Sequence, residues 1–119
     1  MIYFIQEDRE DNDGMVKIGF AEDDIHRRIG IMQTGNPYYL RLLGVIPNGT
    51  KKHESKLHRR FKNARIWIRA RGRVRWSFRG EWLRPVPVLL EYIRSLPEWP
   101  SKGTPLRAVP IKPVQPGNA

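Results

Sequence analysis

MIYFIQEDREDNDGMVKIGF, residues 1–20, decides how the rest of the chain is read. Two short runs rich in β-formers, MIYFIQ (1–6) and MVKIGF (15–20), flank an acidic stretch that ends in Asp13-Gly14. Such runs around an Asp-Gly step predict two antiparallel strands joined by a polar loop. Beyond them the period changes. Asp23 or Asp24 offers an N-cap oxygen, and Ile25, Arg28, Ile29 and Met32 then fall at i, i+3, i+4 and i+7, one face of a helix. Thr34-Gly35-Asn36-Pro37 stops that helix. Segment 38–46 (YYLRLLGVI) reads as a third strand, apolar enough to be central in the sheet, and Pro47-Asn48-Gly49 as a turn. Thr50 opens a second helix, on which Glu54, Leu57, His58 and Phe61 repeat the helical spacing.

Residues 66–76 (IWIRARGRVRW) alternate instead. Ile66, Ile68, Val74 and Trp76 take even positions, and Arg69, Arg71, Arg73 and Arg75 take odd ones. Period two predicts a hairpin. A two-residue loop at 71–72 would pair Arg69 with Val74 and mix the two sets. A three-residue loop at 71–73 pairs Arg69 with Arg75 and Ile68 with Trp76, and is the expected arrangement. Pro85 suits the first turn of a last helix whose buried face is Val86, Leu89, Leu90 and Ile93. From Pro97 on, six prolines in 23 residues with little apolar bulk predict an extended or disordered tail.

Charge narrows the function. The 119 residues carry 22 basic and 12 acidic side chains, a net of +10. Residues 7–13 hold five acids and one Arg, whereas residues 51–84 hold thirteen Lys/Arg and two acids. A basic region that dense meets a polyanion, and arginine, the commoner cation here, suits bidentate phosphate contact. Lys51, Lys52, Arg59, Arg60, Arg69, Arg71, Arg73 and Arg75 are the candidate backbone contacts, with Arg27 beside them. Cysteine is absent, so disulfides, thiolate zinc sites and cysteine nucleophiles are excluded. No apolar run is long enough to span a bilayer, and MIYFIQEDRE lacks the basic start of a signal peptide. A cytoplasmic location without membrane contact is the expectation. Asp11-x-Asp13-Gly14 lacks the remaining EF-hand ligands, so the acidic stretch reads as a solvated hairpin loop.

Two charged residues, Arg28 and Glu54, sit on apolar helix faces, where a charge costs free energy unless it is paired. Spacing alone is equally consistent with a salt bridge between them or with side chains that reach solvent.

The ordered motifs resemble the GIY-YIG nuclease superfamily, and within it the small phage and bacterial branch whose second motif reads KIG. Met1-Ile2-Tyr3 stands at GIY and Lys17-Ile18-Gly19 at YIG. Arg28-Ile29 and Gln33-Thr34-Gly35-Asn36-Pro37 match that branch's helix and its exit. Glu54, Leu57, His58 and Phe61 match its second helix, and Gly80-Glu81-Trp82 its GEW element. The resemblance spans about residues 1–95. It implies that Tyr3 helps to activate water, that Arg28 stabilises charge on the phosphate, and that Glu54 ligates one divalent metal, Mg2+ or Mn2+. A phenol is a poor base at neutral pH, so Tyr3 needs neighbours that favour its ionised form, and Lys17 is a candidate. His58, one turn after Glu54, can touch metal or phosphate or can be a partly buried helix histidine. His26 and His53 read as solvated, and Glu81 and Trp82 as packing and capping residues.

The chain departs from the family pattern at four points. Met1 replaces a glycine, and Lys17 replaces the YIG tyrosine. The gap before the helix arginine is one residue longer, which makes Arg27 a rival of Arg28, although the distance back from Gln33 favours Arg28. Residues 66–77 stand as an insertion.

The expected fold is therefore α/β: a three-stranded antiparallel sheet flanked by helices over residues 1–96, with an inserted basic hairpin at 66–77 and a Pro-rich tail at 97–119. The implied function is a metal-dependent DNA endonuclease. The alternatives are a non-catalytic DNA-binding module on the same fold and an adaptor whose Pro-rich tail binds a protein.

Overall fold

The structure, a computed structural model, describes residues 1–10, 13–22, 24–65, 67–70, 73–76 and 82–97, with 67–70 and 73–76 described by backbone alone. The opening hairpin forms as the sequence predicts. Strand β1 (Ile2–Glu7) pairs antiparallel with β2 (Val16–Phe20), setting Tyr3 opposite Gly19 and Ile5 opposite Lys17. The loop is tied down at its base: Glu7 accepts from the Met15 amide (3.2 Å), from Arg9 (2.9 Å) and from Asn36 Nδ2 (3.2 Å). Helix α1 (Ile25–Thr34) follows, capped by Asp24, whose carboxylate accepts from the amides of His26 and Arg27. Asp23, the alternative cap, lies outside the described residues.

Strand β3 (Leu40–Ile46) starts later than the apolar run suggests. The buried side chain of Gln33 takes the backbone groups that would have extended it, donating to Tyr38 O (2.7 Å) and Asn36 O (3.3 Å) and accepting from Leu40 N (2.9 Å). Nor is β3 central. The sheet order is β3-β1-β2-β6, where β6 is Trp82–Leu83, so β1 and β2 are the inner strands. The sheet thus has four strands, one more than expected, because β6 docks on β2 at Val16 and Lys17. Two residues show no readable period.

The edge strand β3 is apolar because both of its faces are covered. A bulge between its pairings with Phe4 and Ile5 changes the alternation. Leu40, Leu42 and Val45 consequently join one core, while Leu43 and Ile46 pack against the other. The first core lies under α1 (Tyr3, Ile5, Ile25, Ile29, Leu40, Leu42 and Val45). The second lies under α2 (Lys51–Arg60) and α3 (Pro87–Arg94), around Ile2, Phe4, Val16, Ile18, Leu57, Leu89 and Ile93. Three layers result, helix–sheet–helices. Thr50 caps α2 by accepting from His53 N at 3.1 Å. Pro87, rather than Pro85, opens α3.

Residues 67–70 (β4) and 73–76 (β5) form a separate two-stranded sheet, the expected hairpin. Its register overturns the expected pairing: Arg69 stands opposite Val74 and Ile68 opposite Arg75. Only two residues separate the strands, and an even connection pairs odd positions with even ones. The expected tail from residue 98 onward lies outside the described residues. No helix among the described residues is long and apolar enough to cross a membrane.

Candidate functional site

Tyr3 is fully buried, and its ring lies on Gly19. A Cβ on residue 19 would stand 2.3 Å from both Cζ and the hydroxyl oxygen of Tyr3. Glycine is therefore required here by close approach. Lys17, two residues earlier on the same face of β2, donates from Nζ to the Met32 thioether at 3.2 Å and lies 5.8 Å from the Trp82 ring centre. The Tyr3 hydroxyl reaches the same sulfur at 3.9 Å. A phenol, an ammonium and a thioether thus meet between β1, β2 and α1.

The second helix approaches β2 at the neighbouring residue. His58 Nε2 donates to Ile18 O at 3.1 Å, and the same nitrogen stands 3.9 Å from Glu54 Oε2. Both side chains are buried, at 9 % exposure each. A buried carboxylate is expensive, and two features offset the cost: the His58 ring, and a place in the first turn of α2, where the helix dipole favours negative charge. The Ile18–Gly19 peptide therefore carries Glu54 and His58 on its carbonyl side and the Tyr3 phenol on its glycine.

Arg28 is exposed rather than buried on the packing face of α1. Among the described residues no ion pair joins it to Glu54, so of the two alternatives left by the spacing Arg28 takes the second and reaches solvent. It precedes Met32 by one helical turn and shares its stripe. Arg27 is also exposed but falls in line with Ile31, which is 62 % exposed. Helical spacing thus sets Arg28, and not Arg27, on the side of the Tyr3–Lys17 cluster.

The acidic loop lies at the far end of the hairpin, since Tyr3 precedes Glu7 by four residues, about 13 Å of strand. Of the candidate backbone contacts, Lys51, Lys52 and Arg59 are exposed on α2. Arg60 is exposed too, but its guanidinium stacks on Tyr92 at 4.7 Å. Arg71 and the side chains of Arg69, Arg73 and Arg75 lie outside the described residues, as do Gly80 and Glu81 of the GEW element. Trp82 is partly buried against the α1-side core, in keeping with a packing role.

Met32 and Gln33 escaped the sequence reading as working residues. Met32 resembles any core residue at i+7. The signal for Gln33 was a polar side chain on the helix turn that precedes a Gly-Asn-Pro exit.

Residues 1–99 match the T5orf172 domain, which occurs in phage and bacterial nuclease-like proteins and is related to GIY-YIG-type folds. No curated protein and no solved structure matches the chain.

Proposed function

This chain belongs to the T5orf172 domain family, and from that premise we propose that it is a metal-dependent endonuclease that hydrolyses phosphodiester bonds of DNA. One observation supports the reading above others: Tyr3 and the Glu54–His58 pair converge on one peptide of β2, Ile18–Gly19, from different layers of the fold. Tyr3 accepts the proton of the attacking water. It does so as the phenolate, with the Lys17 ammonium against the same sulfur as its oxygen. Arg28, exposed beside this cluster, contacts the scissile phosphate through two N–H groups. His58 fixes Glu54 against β2, a positioning role.

Glu54 would hold the metal. Among the described residues no group of three or more His, Asp or Glu forms a cage. The donor set therefore suits a hard cation that binds through one carboxylate and keeps its waters, Mg2+ or Mn2+. When bound, such an ion polarises a phosphoryl oxygen and neutralises charge on the leaving oxygen. The nuclease domain is assigned to residues 1–96, with residues 66–77 as an insert and 97–119 as an appended tail.

The test is cleavage of supercoiled, linear, branched and single-stranded DNA with Mg2+, Mn2+ or a chelator. Glu54→Gln is expected to abolish metal-dependent cleavage while DNA affinity and melting temperature stay near the parent's. A Glu54→Gln protein that cuts as fast as the parent rules the assignment out. A parent that binds DNA and cuts none with any metal points instead to a non-catalytic DNA-binding module.

A further inference from the structure

Two stripes divide α2. Glu54, Leu57, His58 and Phe61 turn inward and are buried. Lys52, Lys56 and Arg59, at i, i+4 and i+7, fall half a turn round the helix from them, and all three are exposed. Among the described residues no ion pair holds any of the three. The only acid of α2 is the buried Glu54. Arg84, just past β6, brings a further cation to the exit of the helix, where its guanidinium donates to Asn63 O at 2.7 Å. Arg60 stands apart from the stripe, stacked on Tyr92.

The stripe works against the helix that carries it. Lys51 and Lys52 are the first two residues of α2, where the dipole favours negative charge. Lys52 and Lys56 are like charges one turn apart, which repel. A face that served solubility alone would gain from acids at this spacing. Local rules broken together on one face mark a surface kept for a partner. The chemistry of that partner follows from what the stripe holds. It carries no apolar or aromatic side chain to enter a bilayer. Its scale suits a duplex. Lys52 to Arg59 spans about 10 Å of helix axis at about 1.5 Å per residue, and one DNA strand sets a phosphate about every 3.4 Å of duplex axis.

We propose that the outer stripe of α2, Lys52, Lys56 and Arg59, anchors the backbone of duplex DNA at phosphates other than the one that Glu54 serves. The reading above supplies the DNA, and its cleavage is not required. The helix, about 10 Å across with its side chains, stands between the stripe and the inward-facing Glu54, so one phosphate does not touch both.

The test is binding of a random-sequence DNA duplex in chelator, so that nothing is cut, over a series of salt concentrations. The combined Lys52→Gln, Lys56→Gln and Arg59→Gln variant should bind about tenfold more weakly or worse and lower the log–log salt slope by roughly 2.7, at about 0.9 for each contact. Its melting temperature should equal or exceed the parent's, since repelling charges are removed. The combined Lys52→Arg, Lys56→Arg and Arg59→Lys variant keeps the charges and should keep the slope. Arg41→Gln removes a cation beside Asp8 of the acidic loop and should change the slope by less than about 0.5. A Gln variant whose slope falls no further than that of Arg41→Gln overturns the proposal. So does a marked fall in its melting temperature, which would make the stripe a support of the fold. Tighter binding of the parent to phosphatidylserine vesicles than to the duplex at the same salt overturns it in favour of a membrane surface. A parent that cuts no DNA with any metal fails the nuclease reading alone, because the stripe is read in chelator. A parent that cuts DNA while the Gln variant keeps the full slope fails the stripe alone.

Discussion

On the α2/α3 side of the central sheet, β1 and β2 contribute Ile2, Phe4, Val16 and Ile18; on the α1 side, the residues between them are Tyr3, Ile5, Lys17 and Gly19. The backbone is the same and the register is the same. The first set closes on Leu57, Phe61, Leu83, Leu89 and Ile93, with Tyr92 tilted against both Phe4 and Phe61 at 6.2 and 5.5 Å between ring centres. The second set holds a phenol, an ammonium and a glycine that makes room for the phenol. Alternation by two thus lets one pair of strands stabilise the domain through one face and arrange polar groups on the other. The two tasks meet at Ile18 and Gly19 of β2, where His58, with Glu54 beside it, bonds the Ile18 carbonyl.

The sharpest way to break this division is to damage the apolar face. Phe4 is fully buried and touches Tyr92. Phe4→Ala should cost about 3–5 kcal/mol, a large part of the roughly 5–15 kcal/mol that holds a domain folded. The melting temperature should fall by roughly 15 °C or more. Cleavage per folded molecule, measured well below that temperature, should nevertheless stay close to the parent's, because Tyr3 points to the other layer. If activity were lost while the protein was demonstrably folded, the two faces would not be separable.

Gly19 probes the opposite face. Gly19→Ala places a Cβ where the Tyr3 hydroxyl and Cζ now lie, 2.3 Å away. Overpacking of this kind costs about 1–3 kcal/mol, less than the loss at Phe4, yet cleavage should fall by more than about tenfold because the phenol must move. A double-mutant cycle sharpens the point. In a Tyr3→Ala background the added methyl has room, so the stability cost of Gly19→Ala should largely vanish. An undiminished cost would place the strain elsewhere than on Tyr3.

How far this division could be read from the sequence depends on how long each element is. The hairpin, α1 and α2 were legible, since each shows a period over enough residues to be counted and each helix starts at a capping side chain, Asp24 or Thr50. Three features were not. The bulge in β3 puts Leu42 and Val45 in one core despite their odd separation, which no strict alternation predicts. Trp82–Leu83 is too short to show a period, so the fourth strand was missed. The polar cluster was legible only in part. Tyr3, Lys17 and Glu54 stood in recognisable motifs, but Met32 is apolar by composition, and His58 bonds a backbone carbonyl 40 residues away. Such contacts belong to tertiary packing and leave no trace in local spacing.

The hairpin β4–β5 belongs to neither face, and the smallest effect is expected there. It forms its own sheet, and Arg65, which precedes it in the chain, bridges to Leu83 of β6. Its register sets arginines opposite apolar residues: Arg69 with Val74, Arg75 with Ile68, and Arg73 with Ala70. A continuous cationic strip would need Arg69 opposite Arg75, and the two-residue connection does not provide that pairing. Replacing Arg69, Arg71, Arg73 and Arg75 by Gln together should therefore leave both the melting temperature and the turnover at saturating DNA nearly unchanged. Affinity should fall similarly for all sequences, as expected of contacts to phosphate rather than to bases. Four independent phosphate contacts would lower the log–log salt slope by roughly 3.6, at about 0.9 for each contact. With the arginines spread by this register, engagement of about two at a time is expected, and hence a drop near 1.8. A fall close to the full value would mean that DNA realigns the hairpin or wraps it on more than one side. No change in slope would remove the hairpin from the DNA-binding surface, leaving Lys51, Lys52 and Arg59, exposed on α2, as candidate backbone contacts.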